Sequence, residues 1–192
     1  MTHLGYFNSP WPCEDGDPQR LQRPLSGAGL GVRVGEVLQA TKRRTLMSTM
    51  TVLGAPGEVY LLTHTALRAQ VGLSTTSRVE MIDPQSLKPV HRSPPLKGGP
   101  MWPGGMAIHR NGDLYVVYGN HAHRLNRQCQ VLASQDLPVN EAYTSFVVLD
   151  NGLIVTKNLS DTTPAQLTAL HPDSFKVVSS DVMCPEASIA RL

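Results

Sequence analysis

The sequence predicts an all-β chain of about three four-stranded antiparallel units behind an irregular arm. Three observations predict it. One phrase occurs twice: Asp83-Pro84-Gln85-Ser86-Leu87-Lys88-Pro89-Val90 returns as His171-Pro172-Asp173-Ser174-Phe175-Lys176-Val177-Val178, 88 positions later. Asn-Gly stands between apolar runs at Asn111-Gly112 and again at Asn151-Gly152. Short β-branched and aromatic runs are broken by Gly, Pro, Asn and Asp, and no long i, i+3, i+4, i+7 stripe accompanies them.

Residues 1–44 differ in texture. They hold Pro10, Pro12, Pro18 and Pro24 among Gly16, Gly27, Gly29, Gly31 and Gly35. Proline removes a backbone donor and glycine raises the entropic cost of order, so this stretch reads as an irregular arm. Within it, Val32–Gln39 is the one expected strand, and Trp11 is expected to anchor the arm to the folded body.

From residue 45 the pattern becomes regular. Thr49–Leu53, a turn at Gly54–Gly57, Val59–Thr63, Arg78–Ile82 and Lys88–His91 give the strands of a first unit. Met106–His109, Leu114–Tyr118, His121–Leu125 and Gln130–Ser134 give a second. Ser145–Leu149, Leu153–Thr156, Gln166–Leu170 and Lys176–Ser180 give a third. Asn-Gly is the strongest short hairpin signal, and a type I′ turn with positive φ at both central residues is expected there. Gly57 takes the corresponding place in the first unit. The repeated phrase closes the outer hairpin of units one and three, which sets about 44 residues per unit. A β-sandwich explains short strands and turns but not a shared phrase at a fixed offset.

A unit of this length with four short strands has the dimensions of one propeller blade. Gly57-Glu-Val-Tyr-Leu, Asn111-Gly-Asp-Leu-Tyr-Val, Asn151-Gly-Leu-Ile-Val and the two outer turns resemble the β-propeller superfamily, in its quinoprotein-like and YVTN-type form, over about residues 45–192. The resemblance implies about three four-stranded antiparallel blades of an incomplete β-propeller. They run about 45–97, 98–138 and 139–185, with 186–192 as the first strand of a next blade. A ring needs about four to eight blades. The expectation is therefore the N-terminal portion of a longer propeller, with oligomeric closure or an open array as alternatives. Tryptophan–aspartate dipeptides are absent, and only Trp11 and Trp102 are present, which counts against a quinone cofactor.

Composition narrows the function classes. The 192 residues are 41% hydrophobic and 17% charged, with a net charge of +2. Nucleic acid is not an expected partner, because phosphate binding needs a concentrated basic face. The run Lys42-Arg43-Arg44 reads as a solvated turn. Cys13, Cys129 and Cys184 have neither metal-ligand spacing nor the even count of a disulfide framework, and read as reduced thiols. The first residues lack a signal peptide's basic and apolar regions, and no run reaches the roughly 18 apolar residues that span a bilayer. A cytoplasmic protein without a membrane partner is expected.

Candidate site residues lie after the second strand of each unit. His121 and His123 alternate on one strand, so both imidazoles share a face and are able to meet one metal ion, though no third ligand stands nearby in sequence. His64, Asn120 and Asn158 occupy the same rim, where the resemblance to lactonase-type propellers implies inter-blade ligand clefts. Such clefts also need a carboxylate, for which Glu141, Asp161 and Glu186 are available. Ser48, Ser145 and Ser188 have no nucleophile-elbow context. The Pro- and Gly-rich segment 94–105 lacks the helix that a phosphate loop requires. No catalytic residue, metal or cofactor is assigned. The reading is a propeller-type binding or interaction scaffold for a small molecule or protein, able to self-associate through an open blade edge. The alternative is a fragment of a metal-assisted propeller enzyme, lactonase-like or quinoprotein-like.

Overall fold

The computed structural model describes residues 4–22, 34–37, 39–45, 47–99 and 104–187. The side chains of Ser48 and Thr49 are not among what it describes. Three antiparallel sheets follow one another along the chain. Blade 1 holds β1 (Ser48–Leu53), β2 (Val59–His64), β3 (Thr76–Ile82) and β4 (Pro89–Arg92), with a two-residue strand β5 (Leu96–Lys97) beside the start of β3. Blade 2 holds β6 (Gly105–Ile108), β7 (Leu114–Tyr118), β8 (His121–Leu125) and β9 (Val131–Asp136). Blade 3 holds β10 (Val147–Val148), β11 (Ile154–Lys157), β12 (Pro164–Leu170) and β13 (Val177–Ala187). Within each blade the strands pair in chain order, and the sheets do not close into a barrel. This is the incomplete blade arrangement that the repeats predict.

The blades pack face to face. Val52, Tyr60, Leu62 and Val79 of blade 1 share a core with Leu114 and Val116 of blade 2. Tyr115 and Val117, which alternate with them on β7, face Val148, Ile154 and Leu170 of blade 3. All five β7 residues are therefore buried, as a strand enclosed on both faces must be. Two equivalent tyrosines then cross the junctions. The Tyr60 hydroxyl donates to the Arg127 carbonyl at 3.1 Å, and the Tyr115 hydroxyl donates to that of Pro172 at 2.9 Å. Each reaches the outer turn of the following blade, so a buried phenol gains the partner that burial demands.

The outer turns explain the repeated phrase. Leu87 N–H donates to the Asp83 carbonyl, and Phe175 N–H to that of His171, closing equivalent five-residue turns. Asp83 Oδ1 accepts from the Gln85 and Ser86 amides, and His171 Nδ1 from those of Asp173 and Ser174. Leu87 and Phe175 adopt φ of 56° and 53°. Such a conformation costs an ordinary residue about 1–3 kcal/mol, offset at Phe175 by burying the ring against Tyr115. Asn126–Gln130 builds the corresponding turn of blade 2 one residue shorter, with Cys129 N–H donating to the Asn126 carbonyl and Cys129 at φ 61°.

The inner hairpins differ from the expected type I′. Gly112 and Gly152 have φ of 88° and 93°, but neither Asn111 nor Asn151 is among the positive-φ residues. Gly112 N–H donates to the His109 carbonyl, and Gly152 N–H to that of Leu149, so each loop is a type I turn followed by a left-handed glycine. The asparagines act through their side chains instead. Asn111 Oδ1 accepts from Asp113 N–H and Asn151 Oδ1 from Leu153 N–H, both at 3.0 Å. Gly57 has the equivalent φ of 90° in blade 1.

The arm is irregular yet bonded to all three blades. Leu53 N–H donates to Trp11 O and Ile108 N–H to Pro12 O, both at 2.8 Å, while Phe7 N–H donates to Ile108 O at 3.0 Å. Val148 N–H donates to the Tyr6 hydroxyl at 2.7 Å. Gly5 passes so close to blade 3 that a Cβ there would lie 2.4 Å from the Leu149 carbonyl oxygen. Val34–Val37 and Gln39 form no strand; Val34 and Val37 face solvent with no apolar surface to cover them, and Val32 and Leu38 lie outside the described residues. Trp102 and Ser188 also lie outside them. All three cysteines are free. Among the described residues no helix is long and apolar enough to cross a membrane.

Tyr6→Phe removes the acceptor of a buried amide. It is expected to lower the unfolding free energy by about 1–3 kcal/mol in chemical denaturation. Unchanged stability would show that the arm does not hold blade 3.

Candidate ligand-binding site

The fold gathers four of the five expected site residues around the blade 1–blade 2 junction, where most of their polar atoms serve structure. His123 Nδ1 pairs with Ser134 Oγ at 2.9 Å and Nε2 with the Lys97 carbonyl at 2.8 Å, so both ring nitrogens are engaged. His121 Nδ1 contacts Asp136 Oδ1 at 2.7 Å, with the Gly98 backbone as a second partner. The two rings are 6.4 Å apart and together clamp the end of blade 1 to blade 2. His64 lies 5.8 Å from the Tyr118 ring, and its Nδ1 accepts from Ala66 N–H. Asn120 donates to Asn140 Oδ1 at 2.8 Å.

Asn158 sits at the other junction, bridged to Tyr143. Its Oδ1 accepts from Gln166 N–H and its Nδ2 donates to Pro164 O, which shapes the entry to β12. Of the carboxylates, Glu141 accepts from the Ser160 and Thr163 hydroxyls. Among the described residues no group of three or more His, Cys, Asp or Glu side chains is placed to hold a metal ion.

A different set of side chains forms a cleft. Antiparallel register places Thr63 opposite Arg78, and Glu80 opposite Arg92, on the face of blade 1 turned away from blade 2. Arg43, Arg44, Thr45 and Met47 lie across this face and line a cleft of about 400 Å³. Glu80 is buried and bound by two guanidiniums: Arg43 Nη2 engages Oε2, and Arg92 Nε engages Oε1 at 2.7 Å. Arg44 and Arg78 also line the cleft, and neither has a carboxylate partner among the described residues. Four cations thus surround one anion. Arg43 departs from the solvated turn expected of Lys42-Arg43-Arg44, because Glu80 draws it onto the sheet.

Sequence reasoning missed this cleft. Arg78 and Glu80 alternate on one strand, a signal that puts both on one face. Their meeting with Arg43 depends on a chain crossing that no local pattern records.

No protein-family model matches the chain, and no curated protein matches it. Among solved structures it is similar to a protein of unknown function from Bacteroides caccae, at 11% identity and a TM-score of 0.42. The similarity covers 71% of this chain and 46% of that one, so the chain spans less than half of that protein's length.

The junction histidines make stability depend on pH. Burial holds His64, His109, His121 and His123 below their ordinary value of 6.5. Below about pH 6.5 the unfolded chain therefore takes up protons that the folded chain refuses, and stability falls with pH. Thermal unfolding is expected at lower temperature at about pH 5.5 than at about pH 7.5, with a shallower dependence for His123→Gln. Equal slopes for the two proteins would contradict the burial of a neutral His123.

Proposed function

We propose that the chain is a non-enzymatic, propeller-type binding scaffold whose blade 1 cleft takes a small oxyanion. The propeller reading is supported by the repeated four-stranded sheets, their face-to-face order and the arm along their first strands. The observation that carries the binding reading is the surplus of guanidinium groups. Arg43 and Arg92 are committed to Glu80, which leaves Arg44 and Arg78 to meet a ligand. Guanidinium is planar, permanently charged and forked, and it matches carboxylate or phosphate oxygens in pairs. The cleft volume of about 400 Å³ is within the range of small-molecule sites.

Glu80 has a positioning role in this reading. It fixes Arg43 across the sheet and keeps the cleft wall in place, while its own charge is neutralised. A ligand oxyanion then meets Arg44 and Arg78 across a cleft whose Arg43 wall is already fixed, so that wall need not be ordered on binding.

Titration of the full chain with citrate and with inorganic phosphate, followed by calorimetry, tests the proposal. Saturable binding of at least one is expected, weakened about tenfold or more by Arg78→Ala or Arg44→Ala. Added neutral salt should weaken it further, because part of the site is open to solvent. No saturable binding, or binding indifferent to both substitutions, would overturn it.

A further inference from the structure

Resting on the oxyanion reading, we infer that the blade 1 cleft takes a small phosphorylated polyol free in solution, whose hydroxyls meet threonines beside the arginines. Arg44 and Arg78 line the cleft, and neither guanidinium donates a hydrogen bond among the described residues. The carboxylate of Glu80 is already taken by Arg43 and Arg92. Two uncommitted cations suit a dianion better than a single carboxylate, and a phosphomonoester carries close to two negative charges at neutral pH.

The cleft has a second, uncharged end. On β3, Thr76 stands two residues before Arg78 and faces the same way, about 6.6 Å along the strand. Thr65 adjoins it: Thr65 Oγ1 accepts from Thr76 N–H at 2.9 Å and donates to the Thr76 carbonyl at 3.2 Å. With that proton committed, Thr76 Oγ1 donates to Thr65 Oγ1, 3.3 Å away. Thr63, the cross-strand partner of Arg78, donates to the Arg78 carbonyl at 3.4 Å. A hydroxyl has one proton and two lone pairs. The three protons are thus turned into the protein, while Thr63 Oγ1 and Thr76 Oγ1 accept nothing among the described residues. Their lone pairs match hydroxyl donors and repel a second carboxylate. Donors for an anion and acceptors for hydroxyls therefore stand one two-residue step apart. No Phe, Tyr or Trp lines the cleft among the described residues, which leaves a nucleobase without a stacking partner.

Calorimetry of the full chain with glycerol phosphate, propyl phosphate and inorganic phosphate tests the assignment. Propyl phosphate presents the same dianion without hydroxyls. Glycerol phosphate is expected to bind about fivefold tighter than propyl phosphate, or more. Thr63→Val with Thr76→Val should equalise the two esters by weakening glycerol phosphate alone. Thr76→Ser, which keeps the hydroxyl, should retain the preference. Equal affinity of the native chain for the two esters, a preference that survives both valines, valines that weaken both esters alike, or a preference lost in Thr76→Ser would each overturn the polyol assignment and leave the oxyanion site standing. Absence of binding by all three compounds and by citrate would overturn the oxyanion reading itself, and the polyol assignment with it.

Discussion

Blade 2 is packed on both faces, and that double burial organises the molecule. Leu114, Val116 and Tyr118 turn toward blade 1 while Tyr115 and Val117 turn toward blade 3. Fully burying one large apolar side chain stabilises by about 1.5–3 kcal/mol, so one five-residue strand couples three sheets. The coupling is directional as well as apolar. Tyr60 and Tyr115 carry hydroxyls across successive junctions to successive outer turns, and Arg124 reinforces the second by donating to Asp113 and to the Asp173 carbonyl. A repeat built this way cannot shift one blade without exposing a phenol's polar end in a dry interface.

The arm solves a problem that such stacking leaves open. The first strands β1, β6 and β10 have free backbone groups on their inner sides, and these must find partners. Trp11, Pro12, Gly5 and Phe7 supply or receive them through main-chain bonds, and Tyr6 adds a hydroxyl. Proline fits here because a segment donating few bonds and accepting several needs carbonyls more than amides. Buried Cys13 has its thiol pushed up to about 12 by burial and by the nearby carboxylates of Asp17 and Glu14, which keeps it protonated at this contact. Among the described residues no sheet covers the face of blade 1 turned away from blade 2. Charged side chains occupy it, and the cleft between Arg43 and β3 is the consequence.

The architecture was legible because it repeats. The turns beginning at Asp83, Asn126 and His171 are spaced by 43 and 45 residues, close to the expected unit. The second strands are not so regular: Val59, Leu114 and Ile154 are spaced by 55 and 40 residues. A 3-10 turn at Ala66–Val71, capped by Gly72 in the left-handed region, lengthens blade 1, and nothing in the repeat announces it. The arm's docking was illegible for a related reason. Tyr6, Ser9 and Arg20 reach the blades with side chains, but Gly5 and Pro12 bond through backbone groups and carry no side-chain signature of their partners. The expected site residues are more instructive. His121 and His123 do share a face, as alternation requires, but the Lys97–Gly98 backbone occupies that face and takes their nitrogens. Spacing locates an imidazole; only the neighbouring chain decides whether it is spare.

The bonds between them make the arm and the three blades one cooperative unit. Amide hydrogen exchange measured residue by residue tests it most directly. The Phe7 amide, bonded to Ile108 O, and the Leu53 and Ile108 amides, bonded to arm carbonyls, should exchange only as slowly as the β7 core amides, by global unfolding. Rapid exchange at Phe7, Leu53 and Ile108 beside a protected β7 would contradict it, and would reduce the arm to a loose attachment on an independently stable stack of sheets.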